Sequence, residues 1–197
     1  MNYTFYFAAM QKWLTSKPES ADWWKWEPRD WDECAEMLTW LAEQGKNSTR
    51  YFEVWNEPVP FAYSMGTMEN VVKLHEISYK ALHKGNPDAV VMGPCPYSFV
   101  WDFMEEFFKL GGGKWIDQVV IHAYIDKDPD NGLLRKNLQR LRKLVRRYGP
   151  DRDIYHRIRM ADTKCDRTPA GAVSGPLLCL MLHGANKTVD LAYVLAV

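Results

Sequence analysis

Strand-like and helix-like runs alternate along this chain, and that alternation constrains its fold more than any other feature. Short β-rich runs stand at Tyr3 to Ala8, Arg50 to Trp55, Ala89 to Met92, Gln118 to Tyr124, Ile154 to Met160 and Val189 to Val197. Between them, apolar residues recur at helical spacing. Asp30 to Gln44 sets Trp31, Cys34, Leu38 and Leu41 on one face. Asp30 with Glu33 makes a capping box there, and Gly45 suits a left-handed residue after the helix. About Met68 to Lys84 turns Val71, Leu74, Ile77 and Ala81 inward and closes on Gly85-Asn-Pro87. A third helix runs from about Phe99 to Leu110 into Gly111-Gly-Gly113, and a fourth from about Leu133 to Tyr148. The pattern predicts an α/β fold with a parallel sheet and crossover helices. No glycine-rich phosphate loop follows the first strand, which argues against nucleotide binding. Periodicity alone does not separate an open doubly wound sheet from a closed barrel.

With 197 residues, 47% of them hydrophobic, the chain has apolar material for one substantial core, and residues 1–197 read as a single domain. Lys+Arg and Asp+Glu are both 25, so no net field steers it toward nucleic acid or a membrane surface, and a neutral polar ligand fits that balance. No stretch approaches the roughly 18 apolar residues of a membrane span, and the first residues lack a signal peptide's basic start and apolar run. The chain reads as soluble, with its compartment open. Cys34, Cys95, Cys165 and Cys179 show no Cys-x-x-Cys spacing and read as unpaired buried thiols; no metal or cofactor is expected. The fourth helix carries Arg135, Lys136, Arg140, Arg142, Lys143, Arg146 and Arg147 around an apolar stripe, which reads as a solvated outer face.

The chemistry concentrates in Phe52-Glu-Val-Trp-Asn-Glu-Pro58. Strand alternation turns Glu53, Trp55 and Glu57 to one side, and Pro58 ends the ladder, leaving Asn56 and Glu57 at the strand's C-terminal lip. In barrels of parallel strands that lip is the active-site face. A carboxyl between Trp and Pro is expected to be partly desolvated, which raises its proton affinity toward what a general acid needs.

Here the sequence resembles the glycoside hydrolases of clan A, in particular the family 39 β-xylosidase-like group, whose fourth barrel strand ends in Trp-Asn-Glu-Pro. Asn2 to Leu14 with Trp26-Glu-Pro-Arg-Asp-Trp-Asp32 is similar to strand three and its helix entry, Val90-Val-Met-Gly-Pro94 to strand five, and Asp117-Gln-Val-Val-Ile-His-Ala-Tyr124 to strand six. The resemblance implies an incomplete (β/α)8 TIM barrel, with about strands three to eight present, and a retaining glycosidase acting on a β-linked, xyloside-like sugar. Glu57 stands at the position of the general acid/base and Asn56 at that of the residue bonding the sugar 2-hydroxyl. His122 and Tyr124 match a His-x-Tyr pair that orients nucleophile and sugar. Six of nine tryptophans fall in the first forty residues; Trp31 and Trp40 read as helix packing, while Trp13, Trp23, Trp24 and Trp26 fit either sugar stacking or the core.

The nucleophile is where the pattern departs, because a retaining enzyme needs a second carboxylate and no Glu occurs after Glu106. Pairing Ile158-Arg-Met-Ala-Asp-Thr163 with the family's seventh strand puts Asp162 in that place, either as nucleophile or as a loop or capping Asp. Three readings follow: an active glycosidase, a catalytically silent carbohydrate-binding fragment, and a bare structural fragment with no ligand. Carbohydrate is the expected partner in the first two, and self-association through open sheet edges is expected besides.

Overall fold

The computed structural model describes residues 4–59, 66–122, 133–148, 158–162, 177–182 and 189–194. Its strands join one sheet in chain order: β1 (Thr4–Phe7), β2 (Tyr51–Val54), β3 (Val90–Pro94), β4 (Gln118–Ile121), β5 (Ile158–Asp162), β6 (Leu177–Leu182) and β7 (Val189–Val194). Neighbours from β1 to β5 are parallel. Helices α1 (Trp31–Gly45), α2 (Met68–Gly85), α3 (Trp101–Lys109) and α4 (Leu133–Tyr148) make the crossovers.

Register sorts the parallel strands into two faces. Phe52, Val54, Val91, Val119 and Ile121 join the helices in the main core, with Cys34, Leu38, Leu74, Phe103, Phe107 and Leu141. The opposite face buries a smaller cluster of Val90, Met92, Cys95 and Val120. Glu53 lies on that second face, level with Tyr6 of β1 and Met92 of β3.

Local chemistry explains the helix limits. Asp30 caps α1 by accepting from the Asp32 and Glu33 amides, and Thr67 caps α2 by accepting from Asn70. Gly45, expected to be left-handed beyond α1, is instead its last helical residue, followed by Lys46 in a right-handed conformation. Gly111, at φ 83°, does terminate α3 in that way. Gly85 lets α2 approach α1, since a Cβ there would meet the Thr39 carbonyl at 2.3 Å. All seven basic residues of α4 are exposed, as a solvated face requires.

The last strands correct the sequence reading. Val189–Val194 is not a final parallel barrel strand: it pairs antiparallel with β6, which pairs antiparallel with β5. A parallel crossover needs a dozen or more residues, roughly, whereas only 183–188 join β6 to β7. The apolar run Leu177–Leu182 is a strand that the alternation had not announced.

Candidate active site

The C-terminal ends of β2, β3 and β4 are sewn together by backbone bonds. Glu57 N–H donates to the Cys95 carbonyl at 3.0 Å, Cys95 N–H to Val120 at 3.2 Å, and His122 N–H to Pro96 at 2.9 Å. Trp55, Glu57 and Cys95 all take left-handed backbone conformations, with φ of 66°, 48° and 54°. Such angles in bulky residues are uncommon and cluster where a site needs a particular aim.

This backbone resets the strand alternation. Trp55 does not share a side with Glu53 and Glu57: it is buried in the helix-side core, edge-on to Phe7 with ring centroids 5.7 Å apart. Tryptophan therefore does not supply the environment anticipated for Glu57. The neighbour that does is His122, whose Nδ1 lies 3.1 Å from Glu57 Oε1 and whose Nε2 lies 2.6 Å from Glu53 Oε1. All three side chains are nearly inaccessible, at 5% for His122, 9% for Glu53 and 13% for Glu57.

Burial, the largest single influence, lowers the His122 pKa, but the hydrogen bonds and charges of Glu53 and Glu57 together outweigh it and hold it at about 9. In its protonated form the ring can donate from both nitrogens, Nε2–H toward Glu53 and Nδ1–H toward Glu57. Cys95 Sγ lies within 4.8 Å of the Glu53 and His122 ligand atoms, a grouping of metal-binding residue types. Its thiol also faces the Met92 carbonyl at 3.8 Å, and both His122 nitrogens already face carboxylates, so hydrogen bonding accounts for the cluster.

Beside this trio, the Tyr6 hydroxyl donates to Asn56 Oδ1, and the Tyr6 ring stands 6.2 Å from that of His122. With its oxygen engaged, Asn56 has its NH2 group to offer a ligand. Trp26 is partly buried; its Nε1 donates to Asp22 at 3.3 Å and Lys17 Nζ lies 3.3 Å from its ring centroid, so a cation covers one indole face. Trp13 is half exposed. Trp31 packs on the core as expected, but Trp40, at 58% exposure, does not.

Tyr124 lies outside the described residues. Asp162 ends β5, where only its backbone is described: Arg159 is level with Val120 and Met160 with Ile121. Position 162 thus falls one residue out of phase with Val120 and His122. Two residues of the cluster escaped the sequence reading of the site. Alternation puts Glu53 on the correct side but assigns it no role, and Tyr6, three strands from His122 in the sheet, carries no local signal.

No family model matches this chain, and no curated protein matches it in sequence. Solved structures do match. A glucosidase from Croceicoccus marinus is 17% identical over 80% of this chain and 32% of its own, with a TM-score of 0.59. A GH39 β-xylosidase from Caulobacter crescentus is 16% identical over 86% of this chain and 38% of its own, at TM-score 0.50. The GH39 enzyme from Xanthomonas axonopodis pv. citri is 16% identical over 85% of this chain and 37% of its own, also at 0.50. The likeness is one of fold: the α/β sheet of this chain resembles part of each of these glycoside hydrolase structures, and the chain spans about a third of their length.

Proposed function

We propose that this chain carries the acid/base part of a retaining glycosidase site acting on the O-glycosidic bond of a β-linked, xyloside-like sugar, with Glu57 as general acid and base. The observation that carries the reading is the Glu57–His122 contact at the C-terminal lip of a parallel sheet, on the face away from the helices. Glu57 would protonate the departing oxygen while a second carboxylate attacks the anomeric carbon, then take a proton from the water that releases the sugar. Asn56 would donate its NH2 group to the 2-hydroxyl, and Trp13 and Trp26 would offer indole faces to a sugar ring. Tyr124 is proposed to work beside His122, and Asp162 to be the nucleophile. Hydrolysis of a nitrophenyl β-xyloside tests this: Glu57→Ala should abolish the second step, and azide, which needs no general base, should restore turnover as glycosyl azide. Azide-independent loss would exclude Glu57 from that step.

A second reading, a silent carbohydrate-binding fragment, draws support from the absence of any Glu beyond Glu106. Xylose-dependent tryptophan fluorescence without phenol release would favour it.

A further inference from the structure

Glu53 is the buried charge for which the proposed reaction has no use. It lies level with Met92 and near Cys95 on the sheet face that also buries Val90 and Val120, where an apolar side chain would pack without a desolvation penalty. A carboxylate persists in such a place only if paired, and its partner is His122 Nε2 at 2.6 Å. That bond has a consequence at the other end of the ring. With Nε2–H committed to Glu53, the only exchangeable position is Nδ1, 3.1 Å from Glu57 Oε1. One proton serves that contact, since Nδ1–H facing a carboxylate and bare Nδ1 facing a carboxylic acid are equally well bonded, while two protons or none leave like groups opposed.

We propose that Glu53 is a positioning residue for Glu57: by holding Nε2–H it fixes the tautomer and ring orientation of His122, so that Glu57 and His122 share a single proton and alternate between acid and base forms together. The proposal rests on Glu57 being the acid/base, but its physical content does not require turnover. The proton balance is closed within the pair. A proton leaving Glu57 for an oxygen outside the cluster leaves a carboxylate facing neutral His122, and the next proton taken up settles on either partner.

The groups that bear on His122 are Glu53 of β2, Glu57 beyond it, the Tyr6 ring of β1 and the Cys95 thiol after β3. From β5, Arg159 stands level with Val120. Of these, Glu53 and Glu57 are the groups hydrogen-bonded to the ring.

Imidazole nitrogen NMR on the intact chain, titrated from pH 5 to 10, tests the assignment. In the unaltered protein Nε2 should stay protonated throughout and Nδ1 alone should titrate, above the ordinary histidine range. Glu53→Gln keeps an acceptor for Nε2–H but removes the charge, so the midpoint should drop by about one unit or more with the tautomer retained. Glu53→Leu should leave a mixture of tautomers. Glu57→Gln gives an independent check should the Glu53 variants not fold: the midpoint should fall and Nε2–H persist. A neutral ring protonated on Nδ1, or a midpoint unmoved by both Gln variants, would overturn the proposal. The expected titrations in a protein that never cleaves an aryl xyloside would leave it standing and remove only the acid/base reading.

Discussion

Gly93 of β3 lies so close to His75 of α2 that a Cβ at position 93 would meet Nε2 at 2.3 Å and Cδ2 at 2.7 Å. The missing side chain lets α2 seat its histidine against the sheet, edge-on to Phe107 with centroids 5.0 Å apart. Because His75 is fully buried and its Nδ1 is bonded to the Val71 carbonyl at 2.8 Å, the ring has nowhere to retreat. Gly93→Ala should destabilise the fold by about 1–3 kcal/mol, the usual range for overpacking. Urea denaturation reads this as a lower midpoint; an unchanged one would show that the helix packs less closely than described.

The same histidine sets the acid limit of stability. Burial pushes the His75 pKa down to about 4, only partly opposed by its bond to Val71. Its folded value therefore lies below the unfolded value of about 6.5, and the unfolded chain takes up the proton first as pH falls. Stability should be full above pH 6.5 and decline toward pH 4, by on the order of 3 kcal/mol. Urea midpoints across that window should flatten in His75→Gln relative to the parent.

How far this molecule could be read without coordinates depended on the kind of signal. The placement of Asn56 and Glu57 just beyond β2 and of His122 just beyond β4 was legible because a strand end marked by proline and a two-residue strand repeat are local patterns. The helix limits at Asp30 and Gly111 were legible for the same reason. What escaped was non-local: Tyr6 reaches Asn56 across fifty residues, and Glu53 has meaning only once β4 brings His122 to it. Trp55 was assigned to the wrong face because alternation assumes extended backbone, and its positive φ breaks that assumption. Trp40 occupies an exposed position of α1 although an indole is usually buried, and nothing in the structure explains it.

Asn56 should depend on Tyr6 for its aim. The Tyr6 hydroxyl holds Oδ1, so the NH2 end faces away from it; without the hydroxyl the amide can turn over at little cost. Tyr6→Phe should weaken xyloside binding about tenfold, the loss of roughly 1.4 kcal/mol expected for one hydrogen bond. Titration of tryptophan fluorescence with a xyloside checks it, and equal affinity in the variant would separate Asn56 from the sugar.

Among the described residues, β1 and β7 are the two edges of the sheet, each with one hydrogen-bonded neighbour. Tyr6 on β1 is 40% exposed, an aromatic on an edge strand of the described sheet. Such edges recruit further strands. Sedimentation should therefore show concentration-dependent association of this chain, lessened in Thr4→Lys; a monodisperse monomer at all concentrations would count against edge pairing.

The final expectation concerns the second carboxylate. Glu53 is a poor candidate, because it sits on β2 only four residues before Glu57 and is committed to His122 at 2.6 Å, whereas attack must come from a group across the sugar. Asp162 ends β5, the strand beside His122's own, but in register position 162 falls in phase with Met160 and Ile121. Asp is also one methylene shorter than Glu, withdrawing its oxygen by roughly 1.5 Å, and a misplacement of about 1 Å can cost on the order of a hundredfold in rate. Turnover of a nitrophenyl β-xyloside by this chain should accordingly be slow. If Asp162 forms the glycosyl intermediate, Asp162→Ala abolishes the residual rate and Asp162→Glu, by restoring reach, raises it. A rate that survives Asp162→Ala but not Glu57→Ala assigns the nucleophile elsewhere. Fast turnover by the unaltered chain would require a well-placed carboxylate other than those considered, and tight sugar binding with no turnover would leave a site that still binds but no longer has a group to attack the anomeric carbon.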